Sequence, residues 1–174
     1  MGIQFETDYN METLTAMAKG LRKTVRKKRS RRVHIFAAVV LILGLLTILA
    51  TTAGGEPLGA SGVVTLLAML VVILVSLFED KLNAWFARKR LLPGTEHAVA
   101  TFEEDGYVSA TGVTESRFSY AQIVAVAETA RYFVFALSSH HTQAYDKRNI
   151  RGGSVEDFRA FIAEKAGKPV EDIK

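Results

Sequence analysis

The sequence predicts a membrane α-helical hairpin joined to an α+β cytoplasmic domain. Three features support this fold class: two long uncharged apolar stretches, a basic run directly before the first stretch, and alternating periodicity after the second. The stretches are 33–53 and 62–78, and each carries twelve Leu, Ile, Val or Phe residues. A helix over 33–53 would measure about 30 Å at ~1.5 Å per residue, which matches the hydrocarbon thickness of a bilayer.

A soluble helix pair and a signal peptide both fit the apolar stretches less well. A buried helix pair in a soluble protein needs a large surrounding core, and only 96 residues follow the second stretch. A signal peptide has a short charged segment and a short apolar region, whereas here 32 residues precede an apolar stretch of 21. We therefore expect both stretches to cross a membrane, with 54–61 as a short extracytoplasmic turn.

The basic residues predict the orientation of the hairpin. Nine of the 22 Lys and Arg residues lie between Lys19 and Arg32, and removing them from the net charge of +4 leaves −5. The turn over 54–61 has no base, whereas Lys81 and the run 88–90 follow the second stretch. Because Lys and Arg are retained on the cytoplasmic face, we expect both termini to be cytoplasmic.

Segment 1–32 is predicted to be a cytoplasmic arm with one strand and one amphipathic helix. Alternation over 3–7 indicates a half-buried strand, and Asn10 fits the N-cap of the helix. The helix would lie on the inner leaflet or run straight into the first membrane helix, with its bases near anionic lipid headgroups at roughly 1 kcal/mol each. These bases are Arg22, Lys23, Arg26, Lys27, Lys28, Arg29, Arg31 and Arg32. We expect them to fix orientation, and a regulatory lipid-binding role is the alternative.

The remainder divides into a juxtamembrane helix over 79–93 and a soluble domain over 94–174, with Pro93 and Gly94 at the boundary. The predicted strands of the domain are 97–102, 107–111, 117–126, 131–137 and 142–145. Ser154 and Asp157 form a capping-box-like pair that opens a last helix. The prediction is an antiparallel sheet closed by a C-terminal helix.

Several segments carry a family resemblance: 102–106, 118–123, the run 128–137, and the pair Lys147 and Arg148. Together with the N-terminal strand and helix and the two membrane helices, they resemble the YcxB-like family of small bacterial membrane proteins. The resemblance implies a pleckstrin-homology-like (PH-like) domain over 94–174 and a location in the bacterial inner membrane. The sequence departs from the family pattern at Tyr120, where a Trp is usual, and at Asp146, where a Pro is usual. The resemblance implies fold and topology rather than an activity.

Motifs for catalysis are missing from the sequence. There is no Walker loop, nucleophile elbow or metalloprotease helix motif, and there are no cysteines. We therefore expect no enzyme, no cofactor and no metal site. His140 and His141 would point to opposite faces of a strand, so solvated loop histidines are expected. His34, at the mouth of the first span, fits either a pH-sensing or an interfacial position.

Two functions from different classes remain open. One is a membrane-tethered cytoplasmic binding or scaffolding module for an unknown protein or lipid partner. The other is an accessory subunit of a larger membrane assembly, with the hairpin as its interface. Neither membrane helix carries an Asp, Glu, Lys or Arg, which argues against a channel or transporter. Since the chain is acidic outside one basic segment, a nucleic-acid partner is not expected.

A possible anion or partner site is predicted in the soluble domain. Lys147, Arg148 and Arg151 are its one close group of three bases, and they precede Ser154, where free backbone N–H groups would attract an anion. The domain itself has nine bases and twelve acids. In the alternative, Asp146 and nearby acids pair with these bases, and a surface around Tyr120 faces a protein partner.

Overall fold

The computed structural model describes residues 2–55 and 57–173, within which the chain forms five α-helices and nine strands. The helices are α1 (Met11–Lys23), α2 (Lys27–Ala53), α3 (Ala60–Leu77), α4 (Glu79–Lys89) and α5 (Val155–Ala166). The strands are β1 (Ile3–Asp8), β2 (His97–Phe102), β3 (Tyr107–Thr111), β4 (Glu115–Phe118), β5 (Ala125–Glu128), β6 (Tyr132–Ala136), β7 (Thr142–Asp146), β8 (Ile150–Arg151) and β9 (Val170–Asp172). Part of the predicted turn, Glu56, lies outside the described residues.

The strands form two sheets. The first has the order β4-β3-β2-β1-β8 and the second the order β7-β6-β5-β9. The predicted N-terminal strand is confirmed as β1, which pairs antiparallel with β2 so that Phe5 lies opposite Ala100. The arm is therefore part of the same folded unit as the soluble domain, because β1 lies between β2 and β8 in the first sheet.

An aromatic core fills the space between the two sheets. Phe5, Phe102, Phe133 and Phe135 come from strands of both sheets and are fully buried. Phe158 of α5 joins them, with its ring centroid 4.6 Å from that of Phe5 and 4.8 Å from that of Phe102. Burying a Phe side chain contributes roughly 1.5–3 kcal/mol, so these rings are a main source of stability.

Helix α5 begins where the sequence predicts, after Ser154. The Ser154 side chain accepts a hydrogen bond from the backbone N–H of Asp157, and the Asp157 side chain accepts one from the backbone N–H of Ser154. Gly167 ends the helix in the left-handed conformation, with φ of 59°, which a glycine adopts without strain. The apolar face of α5 places Phe158 and Ile162 in the core.

Helix α1 packs on the outer face of the second sheet. Asn10 caps it as predicted, accepting hydrogen bonds from the backbone N–H groups of Glu12 and Thr13. Gly20 approaches β6 so closely that an added Cβ would lie 2.7 Å from a methyl carbon of Val134. The apolar face of α1 is therefore used inside the protein, and the prediction that this helix lies along a leaflet is wrong.

Helices α2 and α3 contact each other and form a helical hairpin. In the part of the chain that the structure describes, these two helices are long and apolar enough to cross a membrane. Neither has a buried residue, so the soluble domain does not cover them. Gly44 faces α3, because a Cβ there would lie 2.8 Å from the sulfur of Met69. Small residues at such positions let two membrane helices approach closely.

The helix bounds differ from those predicted. The chain does not run straight from the arm into the first span, because α1 ends at Lys23 and a turn precedes α2. Thr24 and Val25 occupy this turn, and β-branched residues lose side-chain freedom in a helix. Helix α2 then begins at Lys27 rather than at residue 33, and α4 ends at Lys89 rather than near 93.

The predicted single strand over 117–126 is wrong. This segment forms the end of β4, a short 3-10 helix over Tyr120–Gln122 and the start of β5, and it carries the chain from the first sheet to the second. The 3-10 helix has its own capping box between Ser119 and Gln122. The sheets are also not purely antiparallel, because β9 pairs in parallel with β5. Strands β8 and β9, of two and three residues, were not predicted.

Candidate functional site

Helix α1 is fastened to α4 by an ion pair. Arg22 donates from Nε to Oδ1 of Asp80 over 2.7 Å and from Nη2 to Oδ2 over 2.6 Å. This two-point geometry is the strong form of an Arg–carboxylate pair. The hydrogen bond to Asp80 raises the pKa of Arg22. The pair links the arm to the helix that follows the hairpin, so α1, α2 and α4 meet in a defined arrangement.

A cavity of about 500 Å³ opens beside this junction, between α1, the first turns of α2, α4 and the loop after β6. We call it the basic cleft. Its volume lies within the range of small-molecule sites. The cleft is lined by Leu14, Met17, Ala18, Leu21, Arg22, Arg26, Arg29, Ser30, Val33, Glu79, Asn83, Phe86, Ala87, Arg90, His140 and Thr142.

The charges that line the basic cleft are unbalanced. Four arginines line it, whereas Glu79 is the one carboxylate among the lining residues. No carboxylate of the described chain lies within 4.0 Å of the guanidinium group of Arg26, Arg29 or Arg90. Arg26 donates instead from Nε to the backbone carbonyl of Ser139 over 2.7 Å, which ties the loop after β6 to the start of α2. The cleft therefore has a positive potential suited to an anion.

The fold divides the predicted basic run, which spans the end of α1, a turn and the start of α2, into two sets. Arg22, Arg26 and Arg29 line the cleft. The other members of the run lie outside the cleft and are exposed: Lys23, Lys27, Lys28, Arg31 and Arg32. The basic run is visible in the sequence, but the fold decides which of its charges face a cavity.

The predicted group Lys147, Arg148 and Arg151 is paired with the carboxylates of three different residues. Lys147 is mostly buried and donates from Nζ to Oε1 of Glu128 over 2.9 Å. The guanidinium of Arg148 lies 3.2 Å from Oδ2 of Asp146. Arg151 pairs with the carboxylate of a third residue, Glu6 of β1, at 3.1 Å. Each base thus has an acidic partner, as the alternative prediction for these bases requires.

Glu128 is the centre of the most buried of these ion pairs. Its carboxylate accepts from Arg159 over 2.6 and 2.7 Å as well as from Lys147. The hydrogen bonds from Arg159, and then those from Lys147, lower the pKa of Glu128 from its ordinary value of 4.5 to about 2. The carboxylate is therefore charged throughout the physiological range and forms an ion pair with both bases.

Tyr120 is a buried structural residue. Its side chain is only 5% exposed, and its hydroxyl donates to the backbone carbonyls of Glu103 and Gly106 over 2.5 and 3.0 Å. The ring packs near Phe161 of α5. Burial, and then the nearby acids Glu103 and Asp105, raise the pKa of Tyr120 to about 12. The hydroxyl holds the β2–β3 turn against the chain that crosses between the sheets, so it is not available at a surface.

The carboxylate of Asp157 occupies the anion position at the N-terminus of α5. The carboxylate of Asp157 accepts from both the backbone N–H and the hydroxyl of Ser154, and these hydrogen bonds lower the pKa of Asp157. Gly152 and Gly153 approach the backbone of Gly2 and the side chain of Ile3. This segment is a loop and a helix cap that packs against β1.

Among the described residues, no group of three or more His, Asp or Glu side chains is placed to hold a metal ion. His140 and His141 are exposed in the loop after β6, and His140 lines the basic cleft. Nδ1 of His34 lies 2.9 Å from the carbonyl of Ser30, and its Nε2 lies 3.8 Å from Glu79. His34 therefore lies near the cleft, between α2 and the start of α4.

Two further cavities flank α1. One of about 660 Å³ is lined mainly by α1 and the β5–β6 turn, and its Arg131 is paired with Glu12 and Asp146. The other, about 300 Å³, adjoins the basic cleft at Leu14 and Met17 and is rich in hydroxyl groups. The basic cleft differs from the first in having several arginines without an acidic partner in the described chain.

The model of the YcxB-like protein family matches residues 102–162, about a third of the chain. This match confirms the resemblance seen in the sequence. The matched segment begins at the last residue of β2 and ends within α5. The basic cleft is built mainly from residues outside the matched segment, with His140 and Thr142 inside it. No curated protein and no solved structure matches the chain.

Proposed function

We propose that this protein is a membrane-tethered, non-enzymatic binding module of the bacterial inner membrane. In this proposal α2 and α3 cross the bilayer, both termini are cytoplasmic, and the two-sheet domain presents the basic cleft at the membrane surface. The observation that carries the proposal is the junction of α1, α2 and α4. The pair of Arg22 with Asp80 holds the soluble domain against the ends of the apolar helices.

The orientation is supported by the bases around the apolar helices. The exposed lysines and arginines of 23–32 lie at the start of α2, and Lys81, Arg88, Lys89 and Arg90 follow α3. Both groups lie at the same end of the hairpin because α2 and α3 run in opposite directions along it. Retention of Lys and Arg in the cytoplasm then favours a cytoplasmic domain.

A PH-like arrangement is the finer form of the fold proposal. Two sheets enclose an aromatic core, and the C-terminal helix α5 would close the open side with Phe158 and Ile162. The family resemblance supports this description of the domain. In such a fold the binding function would depend on the surface that the membrane helices leave accessible, and here that surface includes the basic cleft.

An accessory subunit of a larger membrane assembly is the second candidate. The outward faces of α2 and α3 are apolar and exposed, with Leu46 and Leu67 more than half exposed. Lipid would cover such faces in a solitary hairpin, and a neighbouring membrane helix would cover them in an assembly. The two candidates therefore place the partner at different surfaces of one molecule.

Site-specific photo-crosslinking in intact cells separates the candidates. A photoreactive residue replaces Asn83 in the basic cleft in one variant and Leu46 on the outward face of α2 in another. Adducts from position 83 alone support the binding module. Protein adducts from position 46 alone support the accessory subunit. The intact chain is required, because removing 94–174 would uncover β1 and α1, which pack against that domain.

A further inference from the structure

We propose that the basic cleft binds the phosphate headgroup of an anionic phospholipid from the adjacent leaflet. This inference rests on the proposed function, because it requires α2 and α3 to cross the bilayer. Two independent observations on the cleft support it: the set of arginines without acidic partners, and an apolar lining that continues into the first membrane helix.

The arginines supply the charge complementarity. Arg29 and Arg90 are exposed, and neither makes a side-chain hydrogen bond or ion pair with another described residue. They come from α2 and from the end of α4, and both line the same cavity. Arg22 is engaged by Asp80, and Arg26 is engaged in part by Ser139, so Arg29 and Arg90 are the cations with the most free donors. Guanidinium groups bind phosphate oxygens through paired N–H donors.

The apolar lining distinguishes a lipid from a soluble anion. Leu21, Val33 and Phe86 line the cleft together with the arginines. Val33 begins the uncharged part of α2, and it is half exposed. On α2 the lining passes within one turn from Arg29 to Val33, toward the apolar part of the helix, which is the direction from the headgroup to the acyl chains of a phospholipid. Inorganic phosphate would contact only the basic part.

Bases elsewhere on the same helices provide a matched control. Arg31 on α2 and Arg88 on α4 lie two residues from Arg29 and Arg90 and are likewise exposed. Neither lines the cleft, and neither has an acidic partner in the described chain. Arg29→Gln with Arg90→Gln therefore removes the same charge from the same two helices as Arg31→Gln with Arg88→Gln. The two variants differ only in whether the lost charges face the cavity.

Lipid retention by the full chain in mild detergent tests the proposal. Native mass spectrometry measures binding of dioleoylphosphatidylglycerol, with dioleoylphosphatidylcholine as the neutral comparison. We expect the unaltered chain to prefer the anionic lipid, and the Arg29 and Arg90 double variant to bind it about 30-fold more weakly, since each base near an anionic lipid contributes an effect of several-fold. The Arg31 and Arg88 variant should lose about threefold or less, because these charges lie outside the cleft and act on the bound headgroup only through screening solvent.

Equal losses in the two double variants would overturn the proposal, because the attraction would then come from the general field of the basic run. Inorganic phosphate at millimolar concentration is tested alone by calorimetry. Binding of phosphate that is as strong as that of the lipid would also overturn it. Arg29→Lys with Arg90→Lys keeps the charges and loses the paired N–H donors, so it should recover only part of the binding that the Gln variant loses.

The proposed function is tested separately in the same preparations. Extraction of the unaltered chain from membranes by alkaline carbonate would contradict a spanning hairpin and with it the proposed function. A chain that resists extraction but binds lipid equally in both double variants would contradict only the assignment of the cleft.

Discussion

The two basic clusters of this protein have charges of the same sign and different surroundings. Around Lys147, Arg148 and Arg151, the fold supplies the carboxylates of Glu128, Asp146 and Glu6, respectively. Around Arg29 and Arg90, the described chain supplies no carboxylate within ion-pair distance. A run of bases is thus available to a ligand only where the fold leaves it unpaired. We call Lys147, Arg148 and Arg151 the paired cluster, which contributes to the stability of the domain. Arg29 and Arg90 form the unpaired cluster, which remains open for binding.

The largest effect is expected from disrupting the strand that completes the paired cluster. Phe5 is fully buried on β1, and the same strand supplies Glu6 to Arg151 and the Thr7 hydroxyl to the backbone N–H of Asp146. Phe5→Asp should lower the free energy of unfolding of the soluble domain by more than about 4 kcal/mol, since it removes core packing and buries a charge. Limited proteolysis of the full chain measures the loss.

Gln4→Asp is the matched control for this prediction. Gln4 is on the opposite face of β1 and is partly exposed, so the same introduced charge meets solvent rather than the aromatic core. Equal protease resistance of the Phe5→Asp variant and the unaltered chain would show that the arm folds independently of the domain.

The next effect concerns the buried carboxylate that pairs with Lys147. Glu128→Gln removes the charge between Lys147 and Arg159 and leaves the mostly buried Lys147 without an ionic partner. Breaking a buried ion pair in this way costs about 3–5 kcal/mol. Thermal unfolding followed by circular dichroism should show a clearly lower Tm. Glu115→Gln, an exposed change on β4, serves as the control and should leave the Tm nearly unchanged.

Protonation of Glu128 at low pH should cause part of the same loss of stability as Glu128→Gln. The pKa of Glu128 is lowered from 4.5 to about 2 in the folded protein, so its contribution to stability is fully present above about pH 4.5. It is lost as the pH falls from about 4.5 toward 2, and amounts to roughly 3 kcal/mol at ~1.4 kcal/mol per pH unit. The difference in unfolding free energy between the unaltered chain and Glu128→Gln should shrink over this range. A difference that does not depend on pH would contradict the assignment.

The smallest effect is expected at the exposed edge of the paired cluster. Arg148→Gln removes a side chain that is 63% exposed, and Asp146 keeps its second partner, Arg131. Exposed ion pairs contribute at most about 1 kcal/mol, so the Tm should change little. A loss as large as that of Glu128→Gln would mean that the cluster acts as one network and that exposure is a poor guide to its energetics.

Local patterns predicted several elements of this fold accurately. The β2–β3 hairpin, the N-cap at Asn10 and the capping box of Ser154 and Asp157 each depend on residues close together in sequence. Short strands were missed because two or three residues carry no periodicity, as with β8 and β9. The passage of the chain from the first sheet to the second at Tyr120 was missed. Over so few residues, alternating aromatic and polar side chains fit both a strand and a 3-10 helix.

The basic cleft was predicted only in part. The bases of the arm were visible in the sequence, but Arg90 and the loop residue His140 reach the cleft only through tertiary packing. The apolar face of α1 fits a membrane surface and a sheet equally well by composition. Close packing of Gly20 on Val134 decides in favour of the sheet. The contact of α1 with α4 includes the pair of Arg22 with Asp80, which are 58 positions apart and give no local signal in the sequence.

The side of the membrane that carries the basic cleft is the most direct test of a cytoplasmic binding module. The chain has no cysteine, so single cysteines introduced at Leu58, between α2 and α3, and at Ser139, beside the cleft, can be labelled with a membrane-impermeant maleimide. In intact spheroplasts we predict labelling of Leu58→Cys and none of Ser139→Cys, which should react only after the membrane is permeabilised. Labelling of Ser139→Cys from outside would contradict a cytoplasmic binding module.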